Sequence, residues 1–580
     1  MKRFLATPML AALVLCLNYC SVLEAQVMFN GKQPAIDNLT GMWLLSIPER
    51  CFGGDFSAQV ALDSTFTQCT IDGTPVNDVY TFLNVQPGAT YHLWAAGETD
   101  TVNADIQFTY WPVIQIYGSY EKRPYHAGTV VYTHPDSASQ QRINSRVRWA
   151  GSSTAGTDRL KHNFHLKFYH EDGSKMDMSF FGLRHDFHWR LDAGQIDFAR
   201  VRNRVAKDIW ADFAHQPYYA AYEPKTPYNY VRGDFVEVFL NDEYMGIYSL
   251  NEHMDRQQLK LKKYDYDTGE FHGGLWKPMK WSRVTTFSNL TAVNPTQKNW
   301  DNFYVKYPNI DDVNPTNFAT LYEASDFAIN ASYPAFRDSA KFHYDIPVMR
   351  DYYLLLILLQ APDNVGKNVY YACYDAATDK RLTIAIWDLD CTQGQFYSNQ
   401  GSNYHHAAVG PEEDFKTNHL LPHLILRHLW EYDKTFHGLA TERYWELRST
   451  TFNPDSIVAR YAAYFDEMKR CGADKREIAR WSYCSDLGGR ELNFDNELVY
   501  LQDWWTRHIA YLDANVFMPY PPGDVNFDRL MDINDVSLLI NHVLGIETPV
   551  FNDYKGDVDG NGVIDIDDVT CLIDWILKGL

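Results

Sequence analysis

The spacing of apolar and polar positions divides this chain into several regions. From about residue 27 to 146, short alternating apolar runs are separated by Gly, Pro, Asn and Asp, a pattern typical of strands and turns. From about residue 418 to 517, apolar residues recur at helical spacing. Strand-like and helical patterns alternate between these two regions. The chain is therefore predicted to be a multidomain α+β protein with a β-sandwich-like N-terminal domain.

Two hairpins are predicted in the middle of the chain. Asn241-Asp242-Glu243 supplies the turn of the first hairpin. In the second, NVYYACYD and RLTIAIWD flank the turn AATDK. Pairing centred near Thr378 would place Asn368 opposite Asp388.

The second hairpin carries candidate chemistry at its end. Asp390 lies two residues beyond Asp388 on the same strand face, and Asp363 lies five residues before Asn368. Carboxylate and amide oxygens suit Mg²⁺ together with the phosphates of a nucleotide. An Asp that orients a hydroxyl, an Asn on the metal and a later metal-binding Asp are also the order of parts in phosphoryl transfer. The alternative is an ordinary turn, because Asp, Asn and Gly are frequent in turns.

Several cations and one polar loop are candidates for binding phosphate. Ser152 and Ser153 lie in the loop at residues 151–156, whose backbone amides could approach a phosphate. A solvated hairpin turn is the alternative interpretation of this loop. The remaining candidates are three lysines, an acidic partner for one of them and an arginine of a predicted helix: Lys161, Lys167, Lys277, Glu252 and Arg202. The alternative for Arg202 is a solvated helix charge.

Composition and charge narrow the classes of function. The net charge of −22 argues against general nucleic-acid binding, which needs a basic surface. Residues 1–25 place two basic residues before an apolar run, which predicts a secretory signal peptide, and no second apolar run is long enough to span a bilayer. Export permits disulfides, and two local cysteine pairs are plausible, Cys51 with Cys69 and Cys471 with Cys484.

A proline-rich linker at 518–523 precedes an acidic repeat at 524–580. Oxygen-bearing side chains occupy positions 1, 3, 5, 9 and 12 of two successive calcium-type loops. The first set is Asp524, Asn526, Asp528, Asp532 and Asp535, and the second is Asp557, Asp559, Asn561, Asp565 and Asp568. Position 6 is Gly562 in the second loop but Arg529 in the first. Two matches in register predict two Ca²⁺ sites, each followed by a helix.

This tail resembles a dockerin type I domain. The resemblance implies an all-α module with paired calcium loops, which folds with calcium and docks to a cohesin-bearing partner.

Residues 147–517 resemble the CotH kinase family. The segments that carry the resemblance are RWAGSS, GLRHDFHWRLDA, VEVFLNDEYMGIYSLNEHMDR, PDNVGKNVYYACYD and AIWDLDCTQG, in this order. The resemblance implies an atypical protein-kinase-like α+β domain that uses ATP and Mg²⁺ or Mn²⁺ on exported proteins. By position, Asp363 resembles the hydroxyl-orienting Asp, Asn368 a metal ligand, and Asp388 or Asp390 the second metal-binding Asp. The phosphate-binding lysine stays open among Lys161, Lys167 and Lys277, with Glu252 as its partner.

Two hypotheses follow for function. The first is a secreted Ser/Thr protein kinase, which is periplasmic, on the cell surface or extracellular and is held in a complex by its dockerin. The second is a non-catalytic extracellular scaffold assembled through dockerin and cohesin. The predicted domains are residues 27–146, a β-rich accessory domain, then 147–517 and 524–580.

Overall fold

The computed structural model describes residues 27–151, 156–157, 159–294, 296–308, 318–397, 404–406, 422–548 and 550–579. The predicted signal peptide, Ser152 and Ser153 lie outside these residues. The chain forms two compact units. Unit one comprises Met1–Arg200, Arg232–His253 and Ala463–Phe494. Unit two comprises Val201–Val231, Met254–Ala462 and Asp495–Leu580.

Unit one begins with two sheets that share one apolar core. The first has the order β1-β4-β7 and the second β2-β3-β9-β8-β5-β6. The strands are β1 Val27–Phe29, β2 Ala35–Asp37, β3 Met42–Ser46, β4 Phe56–Leu62, β5 Phe66–Ile71, β6 Thr74–Pro75, β7 Val79–Phe82, β8 Tyr91–Gly97 and β9 Thr101–Thr109. Phe82 of one sheet packs edge-on against Phe108 of the other, with ring centroids 4.9 Å apart. Both sheets contribute inward-facing residues to one core cluster, as expected of a sandwich-like domain.

A closed seven-stranded barrel follows in the same unit. Its order is β10-β11-β12-β13-β14-β16-β15. The strands are β10 Val113–Gly118, β11 His126–Thr133, β12 Gln141–Ala150, β13 Asn163–Tyr169, β14 His188–Asp192, β15 Gly233–Leu240 and β16 Tyr244–Glu252. Strands β15 and β16 are the first predicted hairpin, which is confirmed. Strands β10, β11 and most of β12 fall within residues 27–146 but belong to this barrel, because their inward-facing residues complete its core.

Unit two consists of a five-stranded sheet and several helices. The sheet order is β18-β19-β17-β20-β21, and β22 and β23 form a separate ribbon. The strands are β17 Gly274–Pro278, β18 Asn299–Trp300, β19 Phe303–Tyr307, β20 Val369–Asp375, β21 Asp379–Ile386, β22 Gln395–Tyr397 and β23 Tyr404–His406. Strands β20 and β21 are the second predicted hairpin, which is also confirmed.

Helices occupy much of the rest of the described chain. Their bounds are α1 Arg202–Phe213, α2 Arg256–Leu259, α3 Ala319–Asn330, α4 Tyr333–Ser339, α5 Ile346–Leu358, α6 Leu424–Tyr432, α7 Lys434–Arg448, α8 Pro454–Cys471, α9 Ala473–Trp481, α10 Phe494–Asn515, α11 Ile533–Val543, α12 Asp553–Gly556 and α13 Ile566–Lys578. Trp504 and Trp505 of α10 are buried. They are therefore apolar residues that pack this helix against the core, as the helical spacing of apolar residues in this region predicts. Among the described helices, none has the length and apolar character needed to cross a membrane.

The predicted disulfides are not formed. Cys51, Cys69, Cys471 and Cys484 are all free thiols. Cys69 is buried in the sandwich core, whereas Cys51 lies in a short turn at its margin. Cys471 is buried at the end of α8, where its Sγ lies 3.4 Å from the carbonyl oxygen of Met468. Proximity in sequence therefore did not bring these thiols together.

Candidate functional site

The predicted acidic cluster lies where α5 is followed by the β20–β21 hairpin in unit two. Asp363 belongs to a short helical turn, Pro362–Asn364, between α5 and β20. Asp388 and Asp390 follow the end of β21. Asp363, Asn368, Asp388 and Asp390 are all partly exposed, so solvent reaches each of the four predicted side chains.

The register of the hairpin differs by one residue from the prediction. Val369 pairs with Ile386, so Asn368 and Asp388 lie just beyond the last pair instead of opposite each other. Both residues adopt the left-handed backbone conformation, with φ of 56° at Asn368 and 59° at Asp388. Among residues with a side chain, Asn and Asp adopt this conformation most readily, and it turns the chain at both strand ends.

Asn364 holds this left-handed pair in place. Its side-chain amide nitrogen donates to the carbonyl oxygens of Trp387 at 2.8 Å, Asn368 at 3.0 Å and Asp388 at 3.3 Å. Asn364 is 1% exposed, and Tyr352 Oη donates to the backbone carbonyl oxygen of Asn364 at 2.5 Å. One buried amide thus ties the Asp363 turn to both ends of the hairpin. Asn364 is not among the residues predicted from the sequence, because its partners are backbone carbonyls that no motif marks.

Asp363 contacts the predicted metal ligand directly. The amide of Asn368 donates to Asp363 Oδ2 at 3.0 Å, and Lys367 Nζ lies 3.0 Å from the same oxygen. Burial works to lower the pKa of Lys367, but the carboxylates of Asp363, Asp388 and Asp390 outweigh it and raise that pKa. The three predicted acids therefore act on one ammonium group, which the sequence analysis also missed.

The segment after Asp388 is fixed by further hydrogen bonds within unit two. The backbone N–H of Leu389 donates to Asn203 Oδ1 at 3.1 Å, and Gln395 Nε2 donates to the carbonyl oxygen of Asp390 at 3.3 Å. Leu389 is fully buried, and Asp388 and Asp390 on either side of it are partly exposed. Solvent is therefore accessible at both acidic positions, and the apolar residue between them is packed inside unit two.

Lys277 is the lysine candidate that belongs to the same unit as the acidic cluster. It lies on β17, and its Nζ is 4.7 Å from the ring centroid of Trp387 and 4.9 Å from that of Tyr370. Trp387 immediately precedes Asp388. The ammonium of Lys277 is therefore positioned by the same hairpin that positions the predicted metal ligands.

Lys161 has a different environment, inside unit one. Its Nζ donates to Glu477 Oε1 at 2.7 Å and to the carbonyl oxygen of Ile247 at 2.8 Å. Burial lowers the pKa of Lys161 to about 7, and the Glu477 carboxylate opposes that shift. Glu252, the partner expected from the sequence, instead accepts hydrogen bonds from Arg232, with Arg232 Nη2 at 2.7 Å from Glu252 Oε1. The acidic partner of Lys161 is therefore Glu477, which lies 316 residues away in the chain.

Lys167 and Arg202 complete the predicted cations. Lys167 lies on β13, with Nζ 4.4 Å from the ring centroid of Tyr125, and burial together with nearby Arg148 lowers its pKa. Arg202 is fully buried and forms an ion pair with Glu497 of α10. Its guanidinium is fully buried inside unit two, where Glu497 already supplies the counter-charge that a phosphate would provide.

The acidic repeat folds as two similar loop–helix segments. Asp532 and Asp565 cap α11 and α13 through reciprocal hydrogen bonds with Asp535 and Asp568. The same contact recurs in each loop: Asp535 Oδ1 accepts from Val525 N at 2.9 Å, and Asp568 Oδ1 accepts from Val558 N at 2.6 Å.

The second loop also brings three of its predicted ligands together. Carboxylate oxygens of Asp557, Asp559 and Asp568 lie within 4.8 Å of one another. In the first loop, Arg529 adopts φ of 68° where Gly562 has 88°, so the first loop makes the same turn despite the larger residue. The observed geometry is compatible with the predicted calcium ligands.

Comparison with known proteins adds one finding. The family model described as CotH kinase protein matches residues 147–512, which is more than half of the 580 residues. No match to this chain is found among curated proteins.

Proposed function

This chain belongs to the CotH kinase protein family, and we propose that it transfers the γ-phosphoryl group of ATP to Ser or Thr hydroxyls of exported proteins. The observation that carries the proposal is the arrangement around Asn364, which ties the Asp363 turn to the left-handed residues Asn368 and Asp388. Phosphoryl transfer depends mainly on positioning and electrostatic stabilisation, so a rigid acidic cluster is what the chemistry requires.

Each residue has a role that follows from its place. Asp363 accepts a hydrogen bond from the substrate hydroxyl and orients it. Asn368, Asp388 and Asp390 supply the oxygens that would hold Mg²⁺ or Mn²⁺, and the bound cation offsets charge on the β- and γ-phosphates. Lys367, already 3.0 Å from Asp363, neutralises charge beside the transferred group. Lys277, which lies on β17 next to Trp387, interacts electrostatically with the phosphates of ATP.

The first prediction concerns Asp363→Asn. This variant keeps the shape of the side chain but removes the charge that orients the hydroxyl, so we expect phosphoryl transfer to fall about 10²–10⁴-fold. The measurement is transfer of labelled phosphate to the chain itself and to a panel of exported proteins.

Asp379→Asn is the matched control for this prediction. Asp379 lies at the far end of the same hairpin, is about as exposed as Asp363 and pairs with Arg381. Transfer by this control should match the parent. Equal transfer by parent and Asp363→Asn would remove Asp363 from the mechanism.

A non-catalytic scaffold is the second candidate function. The observation that favours it is the Lys367–Asp363 ion pair, which compensates the acidic charge from within the chain. A thermal-shift titration with ATP and Mg²⁺, with Ca²⁺ in both arms, separates the two candidates, because a ligand of the folded state raises its unfolding temperature. A rise supports the kinase, and an unchanged temperature supports the scaffold.

We also propose that the protein is exported and that its tail binds two Ca²⁺ ions as a dockerin that docks to a cohesin-bearing partner. The basic-then-apolar N-terminal sequence supports export. Two loops with oxygen ligands at matching positions support calcium binding. Pull-down with and without calcium tests the docking, and capture that is independent of calcium would count against it.

A further inference from the structure

Three histidines from three adjacent barrel strands meet on the outer face of the barrel in unit one. His165 lies on β13, His188 begins β14, and His253 follows the last residue of β16. These strands are consecutive in the barrel order. Phe164 and Leu166, on either side of His165, point into the barrel core, so His165 points outward.

The ring nitrogens of these histidines converge. One donor atom from each ring lies within 4.8 Å of the others. His165 Nδ1 is 2.9 Å from His188 Nε2, and the rings of His188 and His253 are 3.9 Å apart at 30°. Zn–N bonds of about 2.0–2.1 Å would set nitrogens around a tetrahedral ion about 3.3 Å apart, which lies within the 4.8 Å limit that contains the three nitrogens.

Other residues fix the backbone at two of the histidines. Asp186 Oδ1 accepts from the backbone N–H of His188 at 3.0 Å, and Asp186 Oδ2 lies 2.5 Å from Arg184 Nη2. Arg184 in turn donates to the backbone carbonyl oxygen of His253 at 2.9 Å. One buried carboxylate therefore connects the two backbone segments that carry His188 and His253.

Two arginines flank the cluster. Arg148 and Arg190 are the cross-strand partners of His165 on its two sides. Directly opposite residues of neighbouring strands share one face of a sheet, so both arginine side chains lie on the face of the barrel that carries His165.

We propose that His165, His188 and His253 form a binding site for a first-row transition metal such as Zn²⁺, with an open position that holds an anion. Three imidazoles suit Zn²⁺ better than Mg²⁺ or Ca²⁺, which prefer oxygen. The two flanking guanidiniums oppose a bare divalent ion, so an anion in the open position completes the charge balance. This site uses none of the residues assigned to phosphoryl transfer and stands independently of that activity.

The test is Co²⁺ titration of the metal-stripped full chain in chloride buffer, with Ca²⁺ present to fill the tail. We expect one equivalent to bind with the strong visible absorption of tetrahedral Co²⁺. The double variant His188→Gln/His253→Gln should lose at least ~10-fold in affinity, since even residues behind the ligands matter by about 10–100-fold. His170 is exposed, lies just after β13 and is outside the cluster, so His170→Gln should bind as the parent does.

Retention of this absorption by the double variant, or its absence from the parent, would overturn the proposal. Zn K-edge absorption of the parent chain provides a measurement that does not depend on the folding of any variant. Three imidazole ligands at one Zn²⁺ are expected. A coordination shell made only of oxygen would place the metal at one of the carboxylate sites and reject this site.

Discussion

At the scale of single residues, one buried amide organises the candidate site. Asn364 has its side-chain nitrogen within hydrogen-bonding distance of three backbone carbonyls, two of which belong to the left-handed residues Asn368 and Asp388. Asn and Asp tolerate the left-handed backbone better than other residues with a side chain, and the amide of Asn364 stabilises it further by binding the carbonyl oxygens of both residues. Asn364 is therefore a positioning residue, because it touches neither the nucleotide nor the hydroxyl in the proposed mechanism.

The second prediction concerns Asn364→Ala. Loss of the amide leaves the buried carbonyl of Trp387 and the partly buried carbonyls of Asn368 and Asp388 without this donor, so we expect the free energy of unfolding to fall by about 1–3 kcal/mol. The affinity for Mg²⁺–ATP should fall as well, since Asp388 is no longer held. Urea unfolding and calorimetry measure the two effects.

Asn330→Ala is the control for this prediction. Asn330 is exposed at the end of α3, where it bonds Asp326, so its removal should change neither quantity by much. If Asn364→Ala lowers stability but binds nucleotide as the parent does, the amide supports the fold without positioning Asp388.

At the scale of secondary structure, α9 is held on the barrel by one buried carboxylate. Glu477 lies 2.7 Å from Lys161 Nζ, Arg200 Nε and the backbone N–H of Ile247. Gly246, with φ of 91°, makes this approach possible, because a Cβ there would lie 2.0 Å from Glu477 Oε2. The helix and the barrel are thus joined by charge as well as by apolar packing.

The third prediction is that Glu477→Gln lowers the free energy of unfolding by about 3–5 kcal/mol, the cost of leaving a buried charge without its partner. The substitution keeps the volume of the side chain but leaves Lys161 and Arg200 buried together. Chemical denaturation measures the change. Glu491→Gln, at an exposed position in the same unit, is the control and should change stability by less than about 0.5 kcal/mol. A small effect at Glu477 would show that water already reaches this charge cluster.

At the scale of the whole molecule, the acidic repeat packs against α7 within unit two. A Cβ at Gly438 would lie 2.0 Å from the ring of Phe527, so glycine is needed for the ring of the first loop to approach the helix. Asn552 Nδ2 donates to Glu442 Oε1 at 3.3 Å, and Lys555 Nζ lies 3.5 Å from Glu442 Oε2. The repeat is therefore packed against α7 within unit two. A conformational change in its loops is expected to affect the packing of this helix.

The fourth prediction is that calcium raises the unfolding temperature of the full chain and that chelation reverses the rise. At a concentration about 100 times the dissociation constant, each site adds about 2.7 kcal/mol to the stability of the segment it holds. Isothermal titration calorimetry measures the number of Ca²⁺ sites, and differential scanning calorimetry measures the shift in unfolding temperature.

The matched variants for the calcium prediction are Asp568→Asn and Asp567→Asn. Asp568 is buried and supplies one of the three converging carboxylates, so its variant should lose one site. Asp567 is exposed and lies outside the predicted ligand set, so its variant should keep both sites. Two sites in Asp568→Asn would contradict the assignment.

Local patterns predicted the elements well but not the partners of buried charges. Alternation and turn residues predicted the β15–β16 and β20–β21 hairpins, and helical spacing predicted α10. Lys161 is one of three lysine candidates for phosphate in the sequence, because its partner Glu477 lies 316 residues away and no local pattern reveals it. Arg202 was a phosphate candidate because nothing local reveals its ion pair with Glu497.

The sequence alone determined what depends on near neighbours: the strand and helix periods, the two turns and the spacing of oxygen ligands in the acidic repeat. The tertiary structure alone decided the one-residue register that places Asn368 and Asp388 beyond the ladder, the role of Asn364, and the meeting of His165, His188 and His253. The physical reason is range. Backbone propensity acts over a few residues, whereas burial and hydrogen bonding between distant segments are fixed only when the chain has folded.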